Sequence, residues 1–313
     1  MILGKIIGIF AIMLIGFGAG KIGWLPLDSS KYLSKIVINI AAPCVVISSI
    51  SGQHFSSDQL HTLGIIAVLY FGQYLFQNLV ALLTGHFLKV GRDQRGVFRN
   101  FYLFTNNGFM GFPVTLAIFG KVGLFYMVIV NILMPFFMYT QGIWNVKKDA
   151  AEISGEAARG RNPLLEFINI PILASLIGVL IYFLSIPIHP AIKNVLDIVG
   201  AMMTPLSMMV IGIQLTESSP RRLILNSKLL VSGILRVLVM PALFVGAVIM
   251  LPIKPLIIGV LTLNIMLPSA AMPVALAEQY GADATFAAEG NFLSTLFAVA
   301  TIPIATAVFG GLF

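Results

Sequence analysis

Charge is what this 313-residue chain has least of: Asp, Glu, Lys and Arg make up 10% of it, against about a quarter in a soluble domain. With 58% hydrophobic residues and a mean hydropathy of +0.97, too few polar side chains remain to cover a water-facing globule. The one cysteine, Cys44, lies in an apolar run and excludes an intrachain disulfide, a cysteine-based zinc site and an iron–sulfur cluster. Catalytic motifs are missing too: no His-Glu-x-x-His, no Gly-x-Ser-x-Gly, no pair of aspartates within an apolar segment. His54, His61, His86 and His189 all fall at expected loops or segment ends. No phosphate-binding Gly-x-x-x-x-Gly-Lys-Ser/Thr loop is present, which argues against a self-contained ATP-driven pump. The sequence therefore points away from an enzyme, a cofactor and a metal site. Its net charge of +7 would suggest nucleic acid in a soluble protein, but the basic residues are placed in a way that reports membrane topology.

What the chain does have is apolar length. Ten segments separated by polar breaks are candidate membrane spans: 2–20, 31–50, 60–83, 97–119, 122–144, 164–185, 190–215, 227–250, 255–279 and 284–309. The first could be mistaken for a signal peptide, since Lys5 precedes an apolar run ending in small residues; the internal repeat described next needs it, so we expect it to be retained. Fourteen Lys and Arg residues fall in the loops after odd-numbered spans and four on the opposite side, with Arg236 inside the eighth span. The positive-inside rule makes the rich side cytoplasmic and puts both termini on the non-cytoplasmic side of the cell membrane. The longest loop, 145–162, mixes Lys, Asp and Glu with Gly155 and Gly160 and reads as a flexible cytoplasmic linker between residues 1–144 and 163–313.

Those two parts match at a fixed offset. Gly111-Phe112-Pro113-Val114 in the fourth span meets Ala271-Met272-Pro273-Val274 in the ninth 160 positions on, Asn131 meets Asn291 at the same offset, and Pro43 faces Pro205 at 162. The matches imply a five-span unit duplicated around the linker, and because five is odd the copies are inverted in the membrane.

The fourth and ninth spans also hold the chemistry. Thr105-Asn106-Asn107-Gly108 lies before Pro113 in one, and Pro268-Ser269 before Pro273 in the other, so both helices should break in mid-span. Backbone groups freed at that depth must be satisfied by protein or by a watered cavity. Two such breaks in equivalent positions should cross, with the positive ends of half-helices and the amides of Asn106 and Asn107 and the hydroxyl of Ser269 facing an anion. Taken singly, each break could equally be an ordinary proline kink with Asn and Ser as interhelical glue. Pro43 and Pro205, without neighbouring amides, read as hinges or packing kinks. Asn131, Asn291, Ser294 and Thr295 face either the crossing or a neighbouring helix. Ionisable groups inside spans are few: Arg236, Glu289 and, near a span end, Asp197. Arg236 and Glu289 could form a structural pair, or Glu289 could carry a coupling H⁺ or Na⁺ and Arg236 attract an anion.

The strings Asn106-Asn107-Gly108-Phe109-Met110-Gly111-Phe112-Pro113, Thr204-Pro205-Leu206-Ser207 with Gly212 and Gln214, and Leu267-Pro268-Ser269-Ala270-Ala271-Met272-Pro273 followed by Ala277-Glu278-Gln279-Tyr280 resemble the auxin efflux carrier family. Ser294-Thr295 and Pro303 fit it as well, and the resemblance covers essentially the whole chain. It implies an all-α membrane protein of ten transmembrane helices in two inverted five-helix repeats with broken crossover helices, similar to bile-acid symporters and sodium/proton antiporters. It further implies a scaffold from spans one, two, six and seven, a mobile transport domain from spans three to five and eight to ten, a homodimer and an elevator motion. By motif position Asn106 matches the asparagine that receives a substrate carboxylate, and Pro113, Pro268 and Pro273 match the crossover prolines. The short central linker and Asn107 depart from the plant carriers and make a small carboxylate such as malate or malonate the implied substrate in preference to auxin. Together with the reading of the spans themselves, the candidate substrate-binding residues are Thr105, Asn106, Asn107, Gly108, Asn131, Ser269 and Asn291, with Glu289 and Arg236 as the coupling candidates.

Overall fold

A computed structural model of the chain describes residues 2–51, 57–155, 170–216 and 226–309. Every named element among them is helical, and seven helices are long and apolar enough to cross a membrane. The protein is thus a multi-pass membrane protein. Helix α1 is Ile2–Lys21; α2 (Leu27–Ile36) and α3 (Ala42–Ser51) are joined by a widened π turn; α4 is Ser57–Phe87 and α5 is Arg95–Leu103. After a break come α6 (Phe112–Phe137), another π turn, α7 (Ile143–Ser154), α8 (Ile170–Phe183), α9 (Pro190–Ala201) and α10 (Met203–Gln214). A further π turn splits α11 (Ser227–Ile234) from α12 (Met240–Val248), and α13 (Pro255–Met266), α14 (Met272–Tyr280) and α15 (Ala284–Phe309) complete the order.

The bends have sequence causes. Three π turns, Val37–Ala41, Asn107–Gly111 and Leu235–Val239, each end two residues before a proline: Pro43, Pro113 and Pro241. Proline lacks an N–H and its ring crowds the carbonyl four residues back, and in each case that carbonyl belongs to the π turn, whose wider coil gives the ring room. Pro205 acts similarly at the junction of α9 and α10, where the carbonyl four residues back is that of Ala201, the last residue of α9. Within α6, Gly120 has φ 67° and ψ −164°, a conformation essentially restricted to glycine, so α6 has two limbs and the fourth and fifth apolar segments part there.

The 145–162 segment departs from the flexible linker that its composition suggests. Residues up to Ser154 are helical, ended by Gly155 at φ 73°; residues 156–162 lie outside the described part, as do Arg159, Gly160, Arg161, Arg221, Arg222 and the first residues of the sixth apolar segment. Tertiary bonds explain the helix. The Asp149 carboxylate accepts from the Gly96 and Val97 N–H groups, both at 2.8 Å, capping the start of α5, and Asn145 Nδ2 donates to Asn100 Oδ1 at 2.8 Å.

Two groups of helices pack internally. In one, α1 lies on α10, α10 on α2, and α3 on α8 and α9. The α1–α10 crossing is built on small residues: a Cβ on Gly212 would lie 2.1 Å from the Met13 carbonyl oxygen, and one on Gly16 2.5 Å from that of Met209. Such backbone-to-backbone approach is how helices gain van der Waals contact when lipid offers no hydrophobic contrast. In the other group α4 packs on α5 and α6, α5 on α7, α6 on α13, and α15 on α11 and α14.

The candidate binding site at the paired helix breaks

Helix α5 stops at Leu103, Phe104 is extended (φ −111°, ψ 123°), and helical structure resumes at Asn107. Helix α13 stops at Met266, Leu267 is extended (φ −60°, ψ 147°), and α14 begins at Met272. The two breaks run antiparallel and pair like strands, with Thr105 opposite Ser269. Asn106 N–H donates to the Pro268 carbonyl at 2.8 Å and Ala270 N–H to the Phe104 carbonyl at 3.0 Å. Each interruption therefore satisfies part of the other's backbone, which permits extended chain inside an apolar core. Pro273 sits in the first turn of the helix after its break, where a missing N–H leaves no bond unmade, while Pro113 follows the π turn Asn107–Gly111 that leads into α6.

Side chains complete the junction. Asn106 Oδ1 caps the new helix by accepting from Phe109 N–H at 3.1 Å. Asn107 Oδ1 accepts from Thr105 Oγ1 at 2.9 Å and from Asn264 Nδ2 at 2.7 Å, and Asn264 Oδ1 in turn accepts from Gln73 Nε2 at 2.6 Å. All four of these side chains (Thr105, Asn107, Asn264, Gln73) are buried. The second break leans on α15: Ser269 N–H donates to Ser294 Oγ at 2.9 Å, and Asn291 Nδ2 donates to the Ser269 carbonyl at 2.7 Å.

The helix ends around the junction are sorted by polarity. On one side a cavity of about 660 Å³ is lined by Thr105, Asn106, Asn107 and Gly108 from the first break and Ala270, Ala271 and Met272 from the second. The N–H groups of Gly108, Ala271 and Met272 have no acceptor among the described residues, nor does Asn106 Nδ2. The positive ends of two half-helices thus meet at a space edged by neutral donors. Asn131 of α6 and Asn39 of the α2–α3 π turn line the same cavity, with Phe109, Phe112 and Tyr139 supplying apolar wall.

On the other side stand the negative ends. Arg236 is fully buried, and its Nη2 donates to the carbonyls of Leu267 at 3.2 Å and Phe104 at 3.4 Å, the residues that terminate α13 and α5. Its guanidinium lies 5.2 Å above the Phe101 ring. A cation at two converging helix C-termini is placed as their dipoles require. The pairing of Arg236 with Glu289 suggested by the sequence is corrected here: main-chain carbonyls released by the breaks are its partners, while Glu289, half-buried on α15, accepts from Asn226 Nδ2 at 3.4 Å. Neither Arg236 nor Glu289 lines the cavity.

Of the residues singled out from sequence, Thr105, Asn106, Asn107, Gly108 and Asn131 come together at the cavity, whereas Ser269, Asn291 and the crossover prolines Pro113, Pro268 and Pro273 build the junction behind it. Sequence reasoning passed over Asn264, Gln73 and Asn39. A signal for the α4 partner was present: Tyr70, Gln73, Tyr74 and Gln77 form a polar stripe at helical spacing through an otherwise apolar span, and all four are buried.

A family model described as membrane transport protein matches residues 1–306. An uncharacterized transporter of Methanocaldococcus jannaschii is 26% identical over 303 residues, covering 95% of each chain, and one of Methanothermobacter thermautotrophicus is 24% identical over 300 residues, covering 96% of this chain and 95% of its own. A membrane protein whose broken helices pair around a polar cavity, and whose sequence fits that model almost end to end, belongs to the membrane transport protein family, that of the auxin efflux carriers.

Proposed function

We propose that this transporter is a secondary carrier for small organic anions, carboxylates such as malate, malonate or auxin-like acids, moving them across the cell membrane by an elevator-type exchange of access. One observation carries the reading: the N–H groups of Gly108, Ala271 and Met272, at the starts of both half-helices, converge on a cavity whose described lining residues include amides and no carboxylate. A carboxylate placed there accepts from these donors and from Asn106 Nδ2, and it sits at the positive dipole ends without a fixed counter-charge to bind it too tightly for release.

The packing supports the rest of the scheme. Spans one, two, six and seven contact one another through α1, α2, α3, α8, α9 and α10, and form the scaffold and the homodimer face; spans three to five and eight to ten carry the crossing and move as the transport domain. We read the chain as ten spans in two inverted repeats with both termini on the non-cytoplasmic side, a reading that the breaks before Pro113 and Pro273, 160 residues apart, support.

The second reading is a sodium- or proton-coupled antiporter of the same architecture using Glu289. Its distance from the cavity lining and its bond to Asn226 favour the anion carrier. Proteoliposomes loaded with radiolabelled malate or malonate distinguish the two. Asn106→Ala is expected to lower carboxylate flux by about tenfold, the loss of one charge-assisted bond, while Glu289→Gln retains it. Wild-type flux in both Asn106→Ala and Pro273→Ala removes the proposed site, and flux of Na⁺ or H⁺ that disappears only in Glu289→Gln favours the antiporter.

A further inference from the structure

A second cavity, of about 550 Å³, lies away from the crossing, between the end of α4, the start of α5 and α7. Four cations line it, Arg92, Arg95, Arg99 and Lys148, against the carboxylates of Asp149 and Glu152. Both Asp149 oxygens accept from the Gly96 and Val97 N–H groups at the start of α5, and this carboxylate makes no direct ion pair with any of the four cations. Arg99 donates from Nη2 to Asn78 Oδ1 at 2.9 Å, yet its buried Nε has no partner. Asn145, also in the lining, is buried and spends its Nδ2 on Asn100 Oδ1. Four cations thus face two carboxylates, and the surplus positive charge of the lining points to an anionic occupant. The occupant must offer acceptor oxygens with negative charge to the arginines and the lysine.

The depth of the cavity narrows the choice. Its other wall is Ala81, Leu82 and Gly85 of α4, and Leu75, Leu79, Leu82 and Leu83 are exposed along the same helix, as lipid-facing residues are. Trp144 is exposed nearby with the Lys148 ammonium 5.5 Å from its ring, an aromatic and a cation at the level where bilayer meets water. Basic pockets between helices at that level take phospholipid head groups.

We propose that this cavity binds an anionic phospholipid. The phosphodiester lies among Arg92, Arg95, Arg99 and Lys148, and the acyl chains run along the exposed leucines of α4. Because α5 leads directly into the first helix break, the lipid would brace one wall of the transport machinery from the basic face.

The test titrates the purified full-length chain in neutral detergent with phosphatidylglycerol, phosphatidylcholine or sn-glycerol 3-phosphate, reading bound lipid by native mass spectrometry and the unfolding temperature in parallel. Phosphatidylglycerol is expected to form adducts and raise the unfolding temperature, and phosphatidylcholine to do neither. Arg92→Gln with Arg95→Gln, both exposed and outside the crossing, should weaken phosphatidylglycerol binding on the order of tenfold; Arg99→Lys keeps the charge but loses the forked geometry and should weaken it as well. Lys5→Gln, on the opposite side of the membrane by the arrangement of basic residues, should change nothing. Equal binding of phosphatidylcholine, or wild-type phosphatidylglycerol binding by both folded arginine variants, overturns the proposal. A thermal shift from sn-glycerol 3-phosphate that matches the lipid's would overturn the lipid assignment in favour of a soluble phosphate.

Discussion

The two helix breaks solve the same backbone problem by different means. The first carries its own polar groups: Thr105, Asn106 and Asn107 cap and bridge within three consecutive residues, and Asn107 is tied through Asn264 to Gln73 on α4. The second is nearly bare, with Pro268, Ala270 and Ala271 around a single serine, and it borrows Ser294 and Asn291 from α15. The two breaks thus agree in where a helix stops and differ in which chain segment satisfies the freed groups. The shared element is Arg236, which bonds the last carbonyl of each first half-helix and belongs to neither break.

That sharing predicts the largest effect. Arg236→Met fills similar volume but leaves the Leu267 carbonyl without a donor and two helix C-termini without a cation. The Phe104 carbonyl keeps its bond from Ala270 N–H. We expect a loss of about 2–3 kcal/mol, seen as a lowered unfolding temperature in detergent, together with loss of carboxylate flux. A variant as stable as the wild type would mean that the arginine's own burial offsets its contacts, and the comparison would lose its common centre.

Next comes the network of the first break. Asn264→Ala removes donors to Asn107 Oδ1 and Thr105 Oγ1 and the acceptor for Gln73 Nε2 in one step. Several buried polar groups are left short, so the expected cost is about 2 kcal/mol. Asn264→Asp restores the acceptor toward Gln73 but sets a carboxylate against Asn107 Oδ1, and should be no better than alanine. Thermal unfolding of the three proteins side by side checks the order.

Much of this could be read from the residues alone. Prolines at 113, 268 and 273 with adjacent amides located both breaks, because proline's missing N–H is a property of sequence. Which amides face the cavity was not legible, since it depends on how two segments 160 residues apart pair. Thr105 and Ser269 look alike in one dimension; in the fold one lines the cavity, while the other is tied by its backbone to α15. The partner of Arg236 was not legible for a related reason: sequence shows side chains that could pair with a buried cation but not the carbonyls that a broken helix releases. The helical start of the central loop was hidden as well, because its order comes from Asp149 capping α5, a contact across more than fifty residues.

The smallest expected effect belongs to the second break, and it is the sharpest test of the contrast between the two. Asn291→Ala removes one donor to the Ser269 carbonyl and leaves Ser294 Oγ still accepting from Ser269 N–H. One neutral hydrogen bond is lost from a half-buried side chain, which predicts about 1 kcal/mol. Ser294→Ala should cost a similar amount by orphaning the Ser269 N–H, and because both act on one residue the double variant should fall short of the sum if the Ser269 backbone shifts to regain a partner. Equilibrium or thermal unfolding of the two single variants and the double gives the coupling directly. If Asn291→Ala destabilises more than Asn264→Ala, the bare break is the one under load, and the polar network at Asn107 is there to shape the cavity and not to hold the crossing together.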